Sequence, residues 1–260
     1  MPFANLEKID ELREALITLA SPKNIEFLQL DNIKLLDFSF KANKLYKVYS
    51  VKKRRKKRKI HAPSLKLKGL QNLIRIPLTE SYKPLPCVYG IKSDSTGKKN
   101  TIANATLHLN SDYLIILDMK NFFPSITLEK VEDLFKQTFN CSTEVSQLLS
   151  RLCCVDGKLP QGSPASPIIA NMLCMDLDKK LSELCEKPLW KNANDKYSFR
   201  YSRYVDDMVI SIPQHRPSLW SGSFDLRPLI HEICEDFIKV VNDSGFQVNY
   251  KKLEVQHRGK

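Results

Sequence analysis

Leu6, Ile9, Leu12, Leu16 and Leu19 recur every three or four residues, so the chain opens on an amphipathic helix over 5–20 that Pro22 stops. Helical spacing is read again over 24–37, 65–78, 128–138, 143–154 and 168–185. A last helix is expected over 227–243, with Gly245 just past its end as the C′ residue. Residues 45–51, "LYKVYSV", read as a strand. Residues 113–118, "YLIILD", form a continuous apolar run ending in Asp118, as a buried strand does. Two short strands, 199–204 and 208–212, flank a hairpin tip, and "FQVNY" over 246–250 reads as the final strand. Turn residues crowd 82–104, Asp156-Gly157 marks a turn, and 159–167 is a loop punctuated by proline and glycine. Helices mixed with hairpins favour an α+β fold over a doubly wound sheet.

Charge narrows the class. The 260 residues carry a net charge of +12, which suits a polyanionic partner, nucleic acid before membrane. Eight of the basic residues stand together as "KKRRKKRK", 52–59. No apolar stretch reaches the length of a membrane span, and 1–20 is too charged for a signal peptide. The seven cysteines are odd in number, include no Cys-x-x-Cys pair and mostly sit in apolar runs. They read as reduced thiols in a cytosolic core, and zinc is not expected.

The candidate chemistry lies in "RYVDDMVIS", 203–211. Adjacent strand residues point to opposite faces, so Asp206 and Asp207 share a target only if the chain leaves the regular pleat between them. A tight hairpin tip provides that departure. Asp118 ends another apolar strand, and carboxylates converging from strand ends make a hard oxygen site suited to Mg²⁺. Two such ions about 4 Å apart activate an attacking hydroxyl and stabilise a leaving pyrophosphate. A doubled aspartate taken alone is an ordinary solvated turn, so the surrounding motifs decide the matter.

Those motifs resemble the reverse transcriptases. "YVDD" (204–207) is similar to the family's central metal motif, and "LDMKNFFPSI" (117–126) to the motif that carries the other metal aspartate. "LPQGSPASPIIANM" (159–172) resembles the signature between them, and "GFQVNYKK" (245–252) the one that follows. Within the family, "FFPSI", "PQGSP", "VYGI" and "NATLH" (104–108) resemble the group II intron and retron branch, with Val205 where that branch usually has alanine. The resemblance implies a right-hand polymerase with fingers and palm, the palm being a sheet backed by helices. It divides the chain into an N-terminal helical segment (1–40), fingers (41–112) and palm (113–260), with fingers elements near 128–165. Only 253–260 follow the last motif, enough for one edge strand, exposed or disordered. The chain is therefore expected either to be a fragment of a longer protein or to be a fingers-palm enzyme whose thumb is missing or very short and is borrowed, with low processivity unless another chain or RNA structure fills the gap.

The resemblance also assigns roles. Asp118, Asp206 and Asp207 would hold two Mg²⁺ ions, with Mn²⁺ as the alternative, Asp118 and Asp206 lying closest. Phe123 would stack beneath the sugar of the incoming nucleotide and exclude a 2′-hydroxyl, while Phe122 is a core residue. Gln161 would touch the nucleotide. Arg58, in "RKI", would grip the triphosphate in a forked geometry, with Lys53 as the second choice. Lys252 would stand near the leaving pyrophosphate as a general acid. Each has an ordinary alternative: a core phenylalanine, a turn glutamine, solvated basic residues, a surface lysine. His108 reads as a structural histidine, and the remaining basic run as a non-specific grip on template phosphates.

The function implied is an RNA-directed DNA polymerase of retron type, which copies a structured noncoding RNA from an internal 2′-hydroxyl in bacterial anti-phage defence. Its partners would be the RNA template, the RNA–DNA duplex, dNTPs and an effector protein or second chain, with no membrane, in the bacterial cytoplasm. The alternatives are another phage-defence or abortive-infection reverse transcriptase, and an RNA-binding scaffold in which catalysis is dispensable.

Overall fold

The structure, a computed structural model, describes residues 1–22, 31–53, 56–90, 100–186, 199–213 and 227–257, with backbone alone at 52–53, 56–57, 213 and 227–229. In chain order the elements are α1 (Ile9–Leu19), α2 (Asn32–Lys41), β1 (Tyr46–Lys53), β2 (Lys56–Pro63), α3 (Leu65–Ser81), β3 (Val88–Tyr89) and α4 (Thr101–Leu107). They continue as β4 (Ser111–Asp118), α5 (Phe122–Ser125), α6 (Leu128–Phe139), α7 (Thr143–Cys153), α8 (Ser166–Leu173), α9 (Met175–Glu186), β5 (Arg200–Tyr204), β6 (Asp207–Pro213), α10 (Arg227–Asp243) and β7 (Glu254–His257). The fold is α+β, as the pattern implied. The chain forms two compact units, residues 1–83 with 123–173, and residues 84–122 with 174–260.

The first unit is mostly helical. The apolar stripe of α1 buries Ile9, Leu12 and Leu16, and α1 packs on α3, whose own stripe is Leu67, Leu70, Leu73, Ile74 and Leu78. Helices α6 and α7 pack on each other. Each begins at a hydroxyl cap: Thr127 accepts from the Lys130 N–H, and Ser142 from the Val145 N–H. Such caps satisfy backbone donors that the helix itself leaves open. Strands β1 and β2 form an antiparallel hairpin that carries the basic run.

The second unit is built on a five-stranded sheet in the order β3-β5-β6-β4-β7. Among the described residues the β3–β5 pair is parallel and the other pairs of this sheet are antiparallel. The apolar strand β4 is central, antiparallel to β6 on one side and β7 on the other. Helix α9 packs on β5 and on α10, and the Tyr201 and Phe237 rings meet at 6.2 Å, so helices back this sheet. Gly245 closes α10, its N–H donating to Asn242 C=O and the Phe246 N–H donating to Val241 C=O, the paired bonds of a Schellman cap.

Two sequence expectations need correction. Two helices, α8 and α9, stand where one was read over 168–185; the spacing by four of Ile169, Leu173, Leu177 and Leu181 runs through the break at Cys174 and hides it. "FQVNY" is no strand: only Val248 bridges to Met119, and Tyr250–Lys252 turns as a 3-10 helix. The last strand is β7, an exposed edge. Of the helix read over 24–37, residues 23–30 lie outside the described residues, and α2 begins at Asn32. All seven cysteines are buried, and none forms a disulfide. Among the described residues no helix is long and apolar enough to cross a membrane.

Candidate functional site

Asp118 ends β4 and Asp207 begins β6, and the register sets the two directly opposite each other. Opposed residues of an antiparallel pair share a face with their Cβ atoms about 5 Å apart, and like charges there repel. Asp206 immediately precedes Asp207, in the two-residue turn Val205–Asp206 closed by the Tyr204–Asp207 pair. Val205 has φ 61, the positive value that the first central residue of a two-residue hairpin adopts. The chain thus leaves the pleat before Asp207, and both neighbouring carboxylates turn to one place. Oxygens of Asp118, Asp206 and Asp207 all lie within 4.8 Å of one another. The sequence placed Asp206 nearest Asp118, whereas the ladder sets Asp207 opposite it.

Asp118 is the buried member, Asp206 is half-buried, and Asp207 is exposed on its outer side. Loss of solvent, then the charges of Asp206 and Asp118, raise the Asp207 carboxyl above its ordinary range, against the pull of Lys252. Three carboxylates held so closely suit a divalent cation, and their all-oxygen donor set favours a hard one. The segment after Gly245 frames Asp118. Asn249 Nδ2 donates to Oδ1 at 2.9 Å, Lys252 Nζ donates to Oδ2, and the Asn249 N–H donates to the Asp118 carbonyl at 2.8 Å. Lys252 therefore belongs to this cluster.

Gly90 seats the tyrosine of the turn. Its φ is +99, and a Cβ there would lie 2.8 Å from the Tyr204 ring. Only glycine allows this approach without displacing Tyr204.

The other candidates belong to the helical unit. Arg58 is exposed on β2, opposite Val51. Lys53 ends β1 opposite Lys56, and its side chain lies outside the described residues. Phe122 is buried against Phe246, with ring centroids 5.8 Å apart, whereas Phe123 on the next position of α5 is half-buried. Gln161 is half-buried, and its carbonyl accepts the His61 N–H at 2.8 Å. Next to it Gly162, at φ +133, presses so close that a Cβ would meet the His61 carbonyl oxygen at 2.5 Å. The proline-rich loop is thereby joined to the strand that carries Arg58.

Sequence reasoning did not single out Asn249, nor the buried pair of Arg203 and Asp178. Asn249 sits in a segment whose alternation imitates a strand. Asp178 lies in the charged stretch "MDLDKK", which reads as a solvated helix face. His108 is structural, as expected: its ring nitrogens lie 2.8 Å from Ser211 Oγ and 2.7 Å from Ser202 Oγ.

The chain matches the family described as reverse transcriptase (RNA-dependent DNA polymerase) over residues 51–259. It is 28% identical over 228 residues to the Retron Ec86 reverse transcriptase of Escherichia coli, covering 86% of this chain and 62% of that protein. It is 29% identical over 223 residues to the Retron Mx162 reverse transcriptase of Myxococcus xanthus, covering 78% of this chain and 42% of that one. Among solved structures, telomerase from Candida albicans in complex with a fragment of telomeric RNA aligns with a TM-score of 0.46 and 14% identity, over 88% of this chain and 46% of that chain. The chain thus spans under two thirds of the length of either curated relative. Because the family match takes in the strand of Asp118, the turn of Asp206 and the segment of Lys252 in one span, the chain belongs to the reverse transcriptase family.

Proposed function

We propose that the chain is the catalytic part of an RNA-directed DNA polymerase of retron type, which copies a structured noncoding RNA into DNA. The observation that carries this reading is the convergence of Asp118, Asp206 and Asp207 at one end of the sheet. Mg²⁺ bound there, or Mn²⁺ in its place, supplies the charge that activates the primer hydroxyl and stabilises the leaving pyrophosphate. The aspartates hold the ions. Lys252, on the Asp118 carboxylate, stands ready to give a proton to the leaving group. Arg58 grips the triphosphate of the dNTP, with Lys53 beside it on the basic hairpin. Gln161 touches the nucleotide, and Phe123 excludes a 2′-hydroxyl. The excess of basic residues, +12 in all, holds template and product duplex by their phosphates.

In this reading the first unit works as fingers and the second as palm. The RNA is the protein's own noncoding transcript, primed from an internal 2′-hydroxyl, and an effector protein or second chain completes a bacterial anti-phage system. The compartment is the bacterial cytoplasm, whose reducing poise suits seven buried thiols with no disulfide among them.

The test is incorporation of labelled dNTP on a primed RNA template with Mg²⁺, wild type beside Asp206→Asn, with RNA binding measured in parallel. Synthesis is expected to vanish in the variant while RNA affinity stays within about twofold, because the lost interaction is made with the transition state. Equal loss of RNA binding would show that the aspartates support the fold instead. RNA binding by a wild type that incorporates nothing would identify a scaffold.

A further inference from the structure

Behind the metal cluster lies an ion pair that no water reaches. Arg203 on β5 and Asp178 on α9 are both 0% exposed. The guanidinium meets the carboxylate as a fork, Nε to Oδ1 at 2.8 Å and one terminal nitrogen to Oδ2 at 2.6 Å. Tyr201 Oη donates to the same Oδ1 at 2.9 Å. A buried ion pair is weak evidence for stability, since well-packed apolar residues of similar volume often serve as well. Its use has to be sought in something an apolar pair could not do.

The other terminal nitrogen of Arg203 supplies it, donating to the Val205 carbonyl at 2.9 Å. That carbonyl lies in the rigid peptide plane that leads into Asp206. On the far side of Asp206, its own carbonyl accepts the Met119 N–H at 3.0 Å. Both peptide planes flanking the Asp206 Cα are therefore fixed, one by the guanidinium and the other by the residue after Asp118. Those planes set the direction of the Asp206 Cα–Cβ bond, and with it the few rotamers that bring the carboxylate to the cluster. The turn also needs this support: Val205 is β-branched and sits at φ 61, a conformation that persists only where its surroundings over-determine it.

We propose that Asp178 and Arg203 are a positioning pair that sets the affinity of the aspartate cluster for its divalent ion, by holding the Val205–Asp206 peptide in place. The inference rests on the metal reading given above. Asp178 orients the fork, Arg203 extends its third arm to the turn, and neither touches the ion. Lysine cannot replace the arginine, because a single ammonium does not reach the carboxylate and the carbonyl with a planar fork.

The experiment is Mn²⁺ binding to the full chain, without nucleic acid or dNTP, followed by electron paramagnetic resonance, with urea unfolding of every variant. Asp206→Asn first establishes that the bound ion sits on the cluster; if it leaves Mn²⁺ binding unchanged, the metal reading itself fails. Given that control, Arg203→Lys and the double variant Arg203→Met with Asp178→Leu are both expected to weaken Mn²⁺ binding roughly 10–100-fold, the usual effect of losing a group that orients a ligand. Ile233→Ala, a core change on α10, is expected to lower the urea midpoint while leaving Mn²⁺ affinity as in wild type. If Arg203→Lys and the double variant are folded and bind Mn²⁺ like wild type, the pair is merely structural and the proposal is overturned. Should the double variant fail to fold, Arg203→Lys decides alone.

Discussion

The ammonium of Lys252 is seated on Oδ2 of Asp118, whose Oδ1 is held by Asn249. A cation of the protein's own thus already neutralises the buried carboxylate of the cluster, and an arriving metal ion meets its repulsion. A unit charge several ångströms away at an effective dielectric of 20 or more is worth about 1–3 kcal/mol, and the partial exposure of Lys252 pulls this to the lower end.

Lys252→Met keeps the stem and removes the charge. Mn²⁺ is therefore expected to bind roughly fivefold more tightly. If Lys252 gives the leaving pyrophosphate its proton, as proposed, single-turnover incorporation at saturating dNTP is expected to slow. Opposite signs in the two measurements are the signature of this role. If both binding and rate fall together, Lys252 does no more than orient Asp118.

Phe122 and Phe123 differ across one step of α5: Phe122 is buried, while Phe123 is only half-buried. Phe123→Ala is expected to admit ribonucleotides, read as a rise of at least tenfold in rNTP relative to dNTP incorporation, with little change in unfolding. Phe122→Ala should instead cost about 3–5 kcal/mol of stability, as the loss of a buried ring does. A Phe123→Ala protein that rejects ribonucleotides as firmly as wild type places the sugar gate elsewhere.

The sequence disclosed those parts of the site whose chemistry is local. Asp118 could be read because an apolar strand ends on a charge, and Asp206 and Asp207 because a doubled carboxylate interrupts two strands. The helices that bury Leu12, Leu70 or Leu134 announce themselves by period. Pairings set by distant partners were out of reach. Asp178 and Arg203 stand 25 residues apart, and nothing in either segment marks the other as its partner. The segment after Gly245 misled because alternation in "FQVNY" imitates a strand. A single bridge from Val248 to Met119 and a 3-10 turn serve there to return Lys252 to Asp118.

The basic hairpin carries its own prediction. Its backbone register pairs Lys52 with Lys57 and Lys53 with Lys56. A basic run of this density suits the phosphates of a polyanion. Replacing Lys52, Lys56 and Lys57 by glutamine, together with Arg54, which lies outside the described residues, should reduce the slope of log affinity against log salt. The expected reduction is roughly 0.7–0.9 for each phosphate that the variant no longer neutralises. Arg58→Ala should leave that slope nearly intact and raise the KM for dNTP. The measurements are RNA binding across a salt series and steady-state kinetics; an unchanged slope in the first variant would place the run in solvent.

The last prediction concerns acid. His108 is 8% exposed, with Ser202 and Ser211 on its two ring nitrogens. Burial, then the charge of Arg200, push its pKa down to about 4. In the unfolded chain a histidine titrates near 6.5. Between these values the unfolded state binds a proton that the folded state refuses, so stability falls as pH drops from about 6.5 toward 4 and is fully present above that window. At pH 4.5 the loss from this one ring is roughly 2–3 kcal/mol. Carboxylates also titrate at that pH, so the difference between wild type and His108→Gln isolates the ring. Glutamine keeps a donor and an acceptor but no titrating charge. The variant is expected to be less stable than wild type at pH 7, because its shape fits the two serines less well. Its further loss on moving to pH 4.5 should be smaller than that of wild type by about 2–3 kcal/mol. Urea unfolding at the two pH values measures both quantities. Parallel losses in the two proteins would mean that His108 is protonated in the folded state at the lower pH, and that acid acts on other groups.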